Sequence, residues 1–360
     1  QEGVAALAGY GRIFSRHVRL RSSVPQLALV YGACAGGAAY GPALMDFILM
    51  PRGGAYMFLT GPDVVREVTG EDVGFEDLGG ARIAGRSGLA TLIGPDEDAT
   101  LDLTRRLLGL LPASIGSRAG VELWGTPEGD PGAAVPEDPR ATYDVRDVVR
   151  CVVDRDSFLE LRPEDAPNLV TGLATLEGRT VGVIANQPRN LAGSIDIDAS
   201  LKGSWFVRTC DRFRLPLVVL VDTPGFLPGT DQELGGVIPA GAAFLSSFVE
   251  ATVPKVTIVL RKAYGGAYIV MNARDLGADY TFAWPTAEIA VLGARGAVQI
   301  LERKRLAAAP DADALRGELE ADYRSRFLSP WPAAHAGFVD EVIEPSQTRA
   351  RLVSALASSP

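Results

Sequence analysis

Two short segments with the same residue pattern are the part of this sequence best suited to chemistry. An apolar run after Pro25 ends in Gly36-Gly37-Ala38, and an apolar run after Pro254 ends in Gly265-Gly266-Ala267. We call these glycine segments the first corner and the second corner. Glycines at the end of a buried strand permit a tight turn and bring backbone N–H groups close to a ligand. The repetition predicts two similar half-molecules, each presenting one corner.

Each corner is predicted to open a helix, over residues 38–46 and 267–274. The first N–H groups of a helix have no intrahelical partner, and they favour negative charge. Such a corner suits a permanent anion such as phosphate, or an oxyanion that develops during a reaction, as in thioester enolate chemistry. The structural alternative is that the glycines only allow a helix to pack closely on a strand. Because both glycine segments stand at the same distance from the preceding proline, the repetition favours the anion site over simple packing.

The composition indicates a globular protein with about two domains. The chain has 360 residues, of which 47% are hydrophobic and 22% are charged, and this length exceeds that of one ordinary core. The net charge of −9 disfavours nonspecific binding to nucleic acid.

Several other classes are also disfavoured. There is no long apolar run and no signal-peptide pattern at the N-terminus, so we expect a cytoplasmic protein without membrane contact. The odd number of cysteines, Cys34, Cys151 and Cys210, predicts free thiols. With only His17 and His335 and no CxxC motif, we expect neither a metal site nor a histidine-based triad.

The elements around the corners repeat in the same order. After a first helix over residues 1–23, the strand before the first corner is followed by strands at 46–50 and 55–59 and a helix from residue 60; the second copy has strands at 279–284 and 288–292 and a helix at 294–305. This ββα repetition predicts a superhelical α/β spiral. A Rossmann fold is disfavoured because no GxGxxG follows the first strand.

Three features lie between the copies. A stretch rich in Gly and Pro, from Pro112 to Pro139, predicts a linker or surface excursion. Residues 169–176 and 180–185 predict a hairpin. The apolar strand 215–221 ends in the loop 222–229, where ligands often bind in α/β folds.

Motifs along nearly the whole chain resemble one family. They are Gln1-Glu2-Gly3-Val4, Cys34-Ala35-Gly36-Gly37-Ala38, Phe58-Leu59-Thr60-Gly61-Pro62-Asp63, Leu78-Gly79-Gly80-Ala81, Asn186-Gln187-Pro188, Asp222-Thr223-Pro224-Gly225-Phe226-Leu227-Pro228-Gly229, Arg261-Lys262-Ala263-Tyr264-Gly265-Gly266-Ala267-Tyr268 and Ala283-Trp284-Pro285-Thr286-Ala287. Together they resemble the carboxyltransferase (β) subunits of biotin-dependent acyl-CoA carboxylases, of the propionyl-CoA and acetyl-CoA carboxylase type.

The resemblance implies an α/β fold of two crotonase-like (ClpP/crotonase) ββα superhelical domains. The N-terminal domain, on the acyl-CoA side, would be 1–115, the linker 116–140, and the C-terminal domain, on the biotin side, 141–360. The chain starts inside the family's first domain, so we expect that domain to lack its N-terminal part and the natural protein to be longer.

The resemblance also implies a reaction in which CO2 moves from carboxybiotin to the α-carbon of an acyl-CoA. The amides of Gly36 and Gly37 would hold the thioester oxygen of the enolate, and those of Gly266 and Ala267 the ureido oxygen of carboxybiotin. Carboxybiotin would lose CO2, and its nitrogen would take the α-proton. No side-chain base would be needed.

Further site residues follow from the same resemblance. The implied substrate-binding residues are Ala35, Ala38, Tyr40, Gly265, Tyr268 and Ile269, and the implied biotin-binding residues are Gly193, Ser194, Phe226 and Pro228. Tyr40 and Tyr268 are pocket walls or core residues. Family members that favour propionyl-CoA tend to have Asp where this chain has Ile269, so we expect an apolar acyl pocket that accepts acetyl-CoA or longer alkyl chains.

The implied partners are a biotin carboxylase and a biotin carboxyl carrier subunit, with biotin attached to that separate carrier. The implied assembly is a homohexamer built from dimers, with the two corners facing each other across the dimer interface. Such a subunit would serve fatty acid or polyketide biosynthesis.

Some positions depart from the family pattern. Basic residues are replaced by the stretch 238–243, Glu-Lys-Ala-Ala-Arg is replaced by 201–205, and Gly85-Arg86 stands where a His is expected. A loss of positive charge would weaken the binding of a polyanion. Two alternatives therefore stay open: a biotin-dependent acyl-CoA decarboxylase or other acyl-CoA crotonase-type enzyme, and a non-catalytic assembly subunit.

Two other sets of residues have competing interpretations. Asp222 and Asp231 could form a catalytic carboxylate pair, but an Asp before Pro-Gly usually anchors its own turn. Trp205 and Trp284 are expected in the core rather than as stacking platforms.

Overall fold

The computed structural model describes residues 3–21, 23–117 and 125–359, which alternate short strands and helices. The strands are β1 (Leu27–Leu29), β2 (Ala33–Ala35), β3 (Phe47–Pro51), β4 (Tyr56–Phe58), β5 (Leu92–Gly94), β6 (Leu159–Leu161), β7 (Leu169–Leu176), β8 (Arg179–Asn186), β9 (Leu217–Thr223), β10 (Lys255–Tyr264), β11 (Tyr280–Ala283), β12 (Glu288–Ala290) and β13 (Glu341–Val342). The α-helices are α1 (Val4–Leu20), α2 (Tyr40–Ala43), α3 (Pro62–Thr69), α4 (Phe75–Gly79), α5 (Ala81–Arg86), α6 (Glu97–Leu110), α7 (Val145–Val152), α8 (Ile197–Arg212), α9 (Thr230–Gly235), α10 (Val237–Glu250), α11 (Gly265–Val270), α12 (Ala294–Leu301), α13 (Arg303–Ala308), α14 (Ala312–Phe327), α15 (Pro330–His335) and α16 (Thr348–Ser358).

The larger sheet has eight strands, seven of them in the order β13-β11-β10-β9-β8-β7-β6, with β12 paired to β10 outside this path. The strands from β13 to β8 are parallel, whereas β8, β7 and β6 form antiparallel pairs. Every residue of β7 and β9 is buried, because α8 and α10 pack on one face of the sheet and α7 and α16 on the other.

A smaller parallel sheet, in the order β1-β3-β5, packs against the larger one. Phe47 of β3 stacks on Phe213, with their ring centroids 5.8 Å apart, and both belong to one hydrophobic core. That core joins residues from both sides of the predicted linker. The division into domains 1–115 and 141–360 stays a prediction.

The structure has the duplication that the sequence predicts. In the first copy β1 pairs with β3, β2 with β4, and β3 with β5, all in parallel. In the second copy the two ends of β10 pair with β11 and β12, and β11 pairs with β13, again in parallel. The equivalent residues Cys34 and Ala263 face Met57 and Ile289. The two copies thus share one pairing scheme.

The helices at the corners begin earlier and are shorter than predicted. A 3-10 helix, Gly36–Ala39, leads into α2, and α11 begins at Gly265. The predicted ranges were 38–46 and 267–274. The difference arises because the first glycine of each corner turns the chain at once, as its positive φ shows.

Other predicted elements are confirmed with small shifts. The first helix is α1, although Gln1, Glu2 and Ser22 lie outside the described residues. The hairpin is β7 and β8, with positive φ at Glu177 and Gly178 in its turn. Of the predicted linker, residues 125–140 have no helix or strand, and residues 118–124 lie outside the described part. No helix of the described ranges combines the length and apolar character needed to cross a membrane.

Candidate functional site

The two corners have the same backbone geometry. Gly36 follows β2 with a φ of 62°, and Gly265 follows β10 with a φ of 57°. This left-handed conformation favours glycine, and it turns the chain directly into a short helix. The amides of the first residues of that helix have no intrahelical acceptor. Each corner therefore presents N–H groups at the carboxyl end of a strand.

The second glycine of each corner leaves open space in front of these amides. Neither Gly37 nor Gly266 has a positive φ, and both are exposed. A Cβ atom on Gly37 would have no heavy atom within 4 Å, and one on Gly266 would lie 3.9 Å from the Phe226 ring. Close helix–strand packing therefore does not explain glycine at these two positions. The geometry favours space kept for a ligand.

An apolar pocket of about 380 Å³ adjoins the second corner. Its lining residues are Phe226, Glu233, Val237, Ile238, Gly241, Ala242, Leu245, Gly266, Ile269 and Val270. The stretch 238–243, where the family pattern has basic residues, thus forms part of this wall. Gly241 lets the Phe226 ring approach, since a Cβ there would lie 3.1 Å from it. Apart from Glu233, the side chains that line this pocket are apolar.

The predicted biotin residues lie on two touching loops at the carboxyl ends of β8 and β9. A bridge joins Ile195 to Phe226. Gly193 is buried with a φ of 78°, and a Cβ there would lie 2.4 Å from the Asp222 carbonyl oxygen. Ser194 accepts a hydrogen bond from Asn168 through its carbonyl at 2.8 Å. Gly193 and Ser194 therefore support the loop that carries Phe226.

Of the predicted biotin residues, Phe226 lines the apolar pocket. Pro228 is exposed and lies outside the residues that line it.

The predicted substrate residues are divided between the two corners. Tyr40 is half exposed, lines a cavity of about 210 Å³ beside the first corner and meets the Phe14 ring of α1 edge-on. Ala35 is exposed at the end of β2, and Ala38 is half-buried in the 3-10 helix. These three residues therefore accompany the first corner.

The other substrate candidates accompany the second corner. Ile269 is exposed on the wall of the apolar pocket, with Gly266. Tyr268 packs against the hydrophobic core instead, which favours the core alternative for this residue. Its hydroxyl has no hydrogen-bond partner among the residues that the structure describes, and burial raises its pKa to about 12.

Asp222 has a different role from the turn anchor that we expected. Its buried carboxylate accepts hydrogen bonds from Tyr143 at 2.9 Å, from Arg261 at 3.1 Å and from the backbone N–H of Lys262 at 3.1 Å. None of these donors belongs to its own turn. Asp231 is exposed on α9, so the two carboxylates do not form a pair with a shared environment.

Two residues of the stretch 201–205, which departs from the expected family pattern, make structural contacts. The Lys202 ammonium is buried and donates to the carbonyl oxygens of Asp165 at 2.7 Å and Leu169 at 2.6 Å. The Trp205 ring lies 3.6 Å from the Arg162 guanidinium, so it stacks with a cation rather than simply filling the core. Trp284 is buried and donates to Thr348 at 2.9 Å, as expected of a core residue.

Sequence reasoning missed part of the pocket. Val237, Leu245 and Val270 line it but carry no motif of their own, and Glu233, which belongs to the family-like motif Asp231-Gln232-Glu233, was given no pocket role. The apolar residues at 238–243 were the available signal, because they break a basic pattern beside a glycine corner.

The chain is similar to known proteins along nearly its whole length. The family model of the carboxyl transferase domain matches residues 1–359. The carboxyltransferase subunit of propionyl-CoA carboxylase from Haloferax mediterranei is 50% identical over 99% of this chain and 70% of the relative. The α subunit of methylmalonyl-CoA decarboxylase from Propionigenium modestum is 47% identical over 99% of this chain and 70% of its own length.

A solved structure is similar over the same range. The transcarboxylase 12S hexamer, with methylmalonyl-coenzyme A and methylmalonic acid bound, superposes with a TM-score of 0.94 at 48% identity, over 99% of this chain and 69% of that one. These findings confirm the expected crotonase-type α/β fold, and they confirm an enzyme rather than a non-catalytic assembly subunit. The chain belongs to the carboxyl transferase family.

Proposed function

We propose that this chain is the carboxyltransferase (β) subunit of a biotin-dependent acyl-CoA carboxylase. The observation that carries the proposal is the pair of corners, each with a helix start whose first amides lack an intrahelical acceptor and with open space in front of the second glycine. Two such corners suit a reaction between two substrates, each with an oxygen atom that gains negative charge. The relatives that carry out acyl-CoA carboxyl transfer match the chain over nearly its whole length.

The first corner is the acyl-CoA site in this proposal. The amides of Gly36 and Gly37 donate to the thioester oxygen and stabilise the negative charge that it gains as the α-carbon loses its proton. Ala35, Ala38 and Tyr40 lie around that oxygen site.

The second corner is the biotin site. The amides of Gly266 and Ala267 donate to the ureido oxygen, while Phe226 and the apolar pocket take the ring and exclude water. Biotin, carried on a separate carrier subunit, supplies the CO2 and the ureido nitrogen that accepts the α-proton. The pocket suits the apolar thioether ring of this group and has room for it at about 380 Å³, while the polar ureido ring would face the amides of the second corner.

Ile269 lies on the same pocket wall as Gly266, so an acyl chain held at the first corner across the dimer interface would end beside it. We assign it to the end of the acyl chain, which it keeps in an apolar environment. Gly265, whose φ is 57°, sets the turn, and Gly193, Ser194 and Pro228 belong to the loops that hold Phe226.

The proposal extends to partners and location. The chain works with a biotin carboxylase and a biotin carboxyl carrier subunit in the cytoplasm, needs no metal at its own site, and assembles as a homohexamer built from dimers. The hexamer of the 12S structure supports the assembly. The two corners act on one reaction across a dimer interface, with domain 1–115 supplying the first corner and domain 141–360 the second.

A second candidate is a decarboxylase subunit, favoured by the 47% identity to the Propionigenium modestum protein. One experiment separates the two candidates. The protein is incubated with biotin carboxylase, biotinylated carrier, ATP, bicarbonate and acyl-CoAs of two to eight carbons, and carboxylated product is measured. The reverse mixture contains methylmalonyl-CoA and carrier without ATP.

Product from the forward mixture supports the carboxylase. Conversion of methylmalonyl-CoA to propionyl-CoA, with the carboxyl group passed to the carrier biotin and without any forward product, supports the decarboxylase. Neither reaction, with a protein that binds the carrier, would contradict both candidates. Gly317 on α14 has open space around it, so Gly317→Val is the matched control for Gly37→Val and Gly266→Val, which should remove product.

A further inference from the structure

Strand β10 changes its register just before the second corner. Val259 faces Val221 of β9, but Ala263 faces Thr223. Asp222 is thus the one β9 residue opposite the stretch 260–262. Before this bulge β10 pairs with β11, and after it β10 pairs with β12. Bulges of this kind re-aim a strand and recur beside active sites. This one directs β10 into Gly265.

The Asp222 side chain fills the gap that the bulge creates. One carboxylate oxygen accepts the backbone N–H of Lys262 at 3.1 Å. The other accepts from Tyr143 and Arg261. The side chain is 1% exposed. A buried carboxylate is stable only when paired and hydrogen-bonded, and here all three of its partners hold the bulge or the segment behind it.

The same cluster ties the segment 138–143 to the back of the corner. Arg261 donates to the carbonyl oxygen of Ala141 at 3.0 Å and of Asp138 at 3.3 Å. Lys262 donates through its ammonium to the carbonyl oxygen of Pro139 at 2.7 Å. The bulge is therefore held on two sides, by the Asp222 carboxylate and by this backbone segment.

The first corner has the strand break but lacks this ionic anchor. Gly32 and Ala33 stand where the second copy has Arg261 and Lys262, and neither carries a charged side chain. The break there separates β1 from β2. The anchor is thus an addition to the second copy of the duplicated design.

We propose that Asp222 is a positioning residue for the second corner, which fixes the bulge of β10 so that the amides of Gly266 and Ala267 point into the apolar pocket. It touches neither substrate. The inference rests on the proposed function only for its kinetic consequence, which is a change in the KM for biotin and not in the KM for acyl-CoA.

The test compares Asp222→Asn with Asp154→Asn. Asp154 is also buried, and its carboxylate accepts from Thr175, Gly178 and Arg349 at the turn between β7 and β8, away from both corners. Both variants should lose stability. Only Asp222→Asn should raise the KM for free biotin, by about tenfold, and leave the KM for acyl-CoA unchanged. Tyr143→Phe, which removes one hydrogen bond, should give a smaller shift in the same direction.

Hydrogen exchange of the amides at 262–268 supplies a readout that does not depend on turnover. Faster exchange there in Asp222→Asn, but not in Asp154→Asn, supports the inference. This holds even if the wild type transfers no carboxyl group, because that second result would contradict only the proposed function. Unchanged exchange together with an unchanged KM for biotin would overturn the inference. If Asp222→Asn does not fold, Tyr143→Phe decides by the same two measurements.

Discussion

Gly36 and Gly265 are equivalent residues of one design that the chain contains twice. Their φ angles are 62° and 57°, and each ends a strand and begins a short helix. Their surroundings differ: a Cβ would lie 3.8 Å from the Leu59 carbonyl oxygen at Gly36, but 3.2 Å from the Val291 carbonyl oxygen at Gly265. The two glycines therefore adopt the same turn, but Gly265 has less space for a side chain than Gly36.

This difference predicts an order of stabilities. Gly36→Ala should lower the free energy of unfolding by about 1 to 2 kcal/mol, because a side chain is strained at positive φ. Gly265→Ala should lower it further, since its Cβ also approaches the Val291 carbonyl oxygen. Gly37→Ala should change it by less than about 0.5 kcal/mol. Urea unfolding of the three variants checks the order, and equal losses for Gly36→Ala and Gly37→Ala would contradict it.

The pocket wall predicts substrate selectivity. Ile269→Asp places a carboxylate among apolar residues, so it should lower kcat/KM most for the longest acyl-CoAs, by about tenfold. Val249→Asp on α10 is the control, because Val249 is exposed but does not line the pocket. Competition between acyl-CoAs of different length measures the ranking. If the ranking is the same in Ile269→Asp and the wild type, Ile269 does not contact the acyl chain.

A side chain at position 203 should clash with the Phe244 ring. A Cβ at this position would lie 2.5 Å from the Phe244 ring, so Gly203→Ala should destabilise the protein by about 1 to 3 kcal/mol. Phe244→Leu should make room, and the double variant should be more stable than the sum of the single changes predicts. A double-mutant cycle in urea measures this coupling. Strict additivity would show that helix α8 relaxes away from the ring.

The buried Lys202 should make the free energy of unfolding depend on pH. Burial lowers its pKa to about 8 from an ordinary 10.5, so between these values the unfolded chain binds a proton that the folded chain does not. Stability should therefore rise with pH in this window, by at most about 1.4 kcal/mol per pH unit for this one group. Lys202→Met should reduce that slope. An identical slope in both proteins would mean that the carbonyl oxygens of Asp165, Ala166 and Leu169, which accept from Lys202, keep its ammonium charged.

The duplicated corners and the strands around them could be predicted from the sequence because local patterns encode them. Proline, an apolar run and paired glycines predict a buried strand that ends in a turn. Strand β10 follows that pattern, whereas in the first copy the run is divided into β1 and the largely exposed β2. The helix starts were misplaced by two residues because the positive φ of Gly36 and Gly265 is a property of the turn, which composition alone does not show.

The anchor at Asp222 and the wall of the apolar pocket could not be predicted in the same way. Asp222 meets Tyr143 and Arg261 only after β9 and β10 have paired, so its partners are distant in sequence. Likewise, Glu233 and Leu245 reach the pocket because of the packing of α9 and α10. Tertiary contacts of this kind leave no local pattern.

The central claim is that the two corners hold two different substrates, and the kinetics of Gly37→Ala and Gly266→Ala test it most directly. Both variants are assayed with free biotin and methylmalonyl-CoA, with each substrate varied in turn, and unfolding in urea confirms that both stay folded. Blocking an oxyanion site lowers activity by about 100-fold in other enzymes. The account predicts that Gly37→Ala raises the KM for the acyl-CoA and Gly266→Ala raises the KM for biotin. The same change in both constants for both variants, or no change in either, would contradict it.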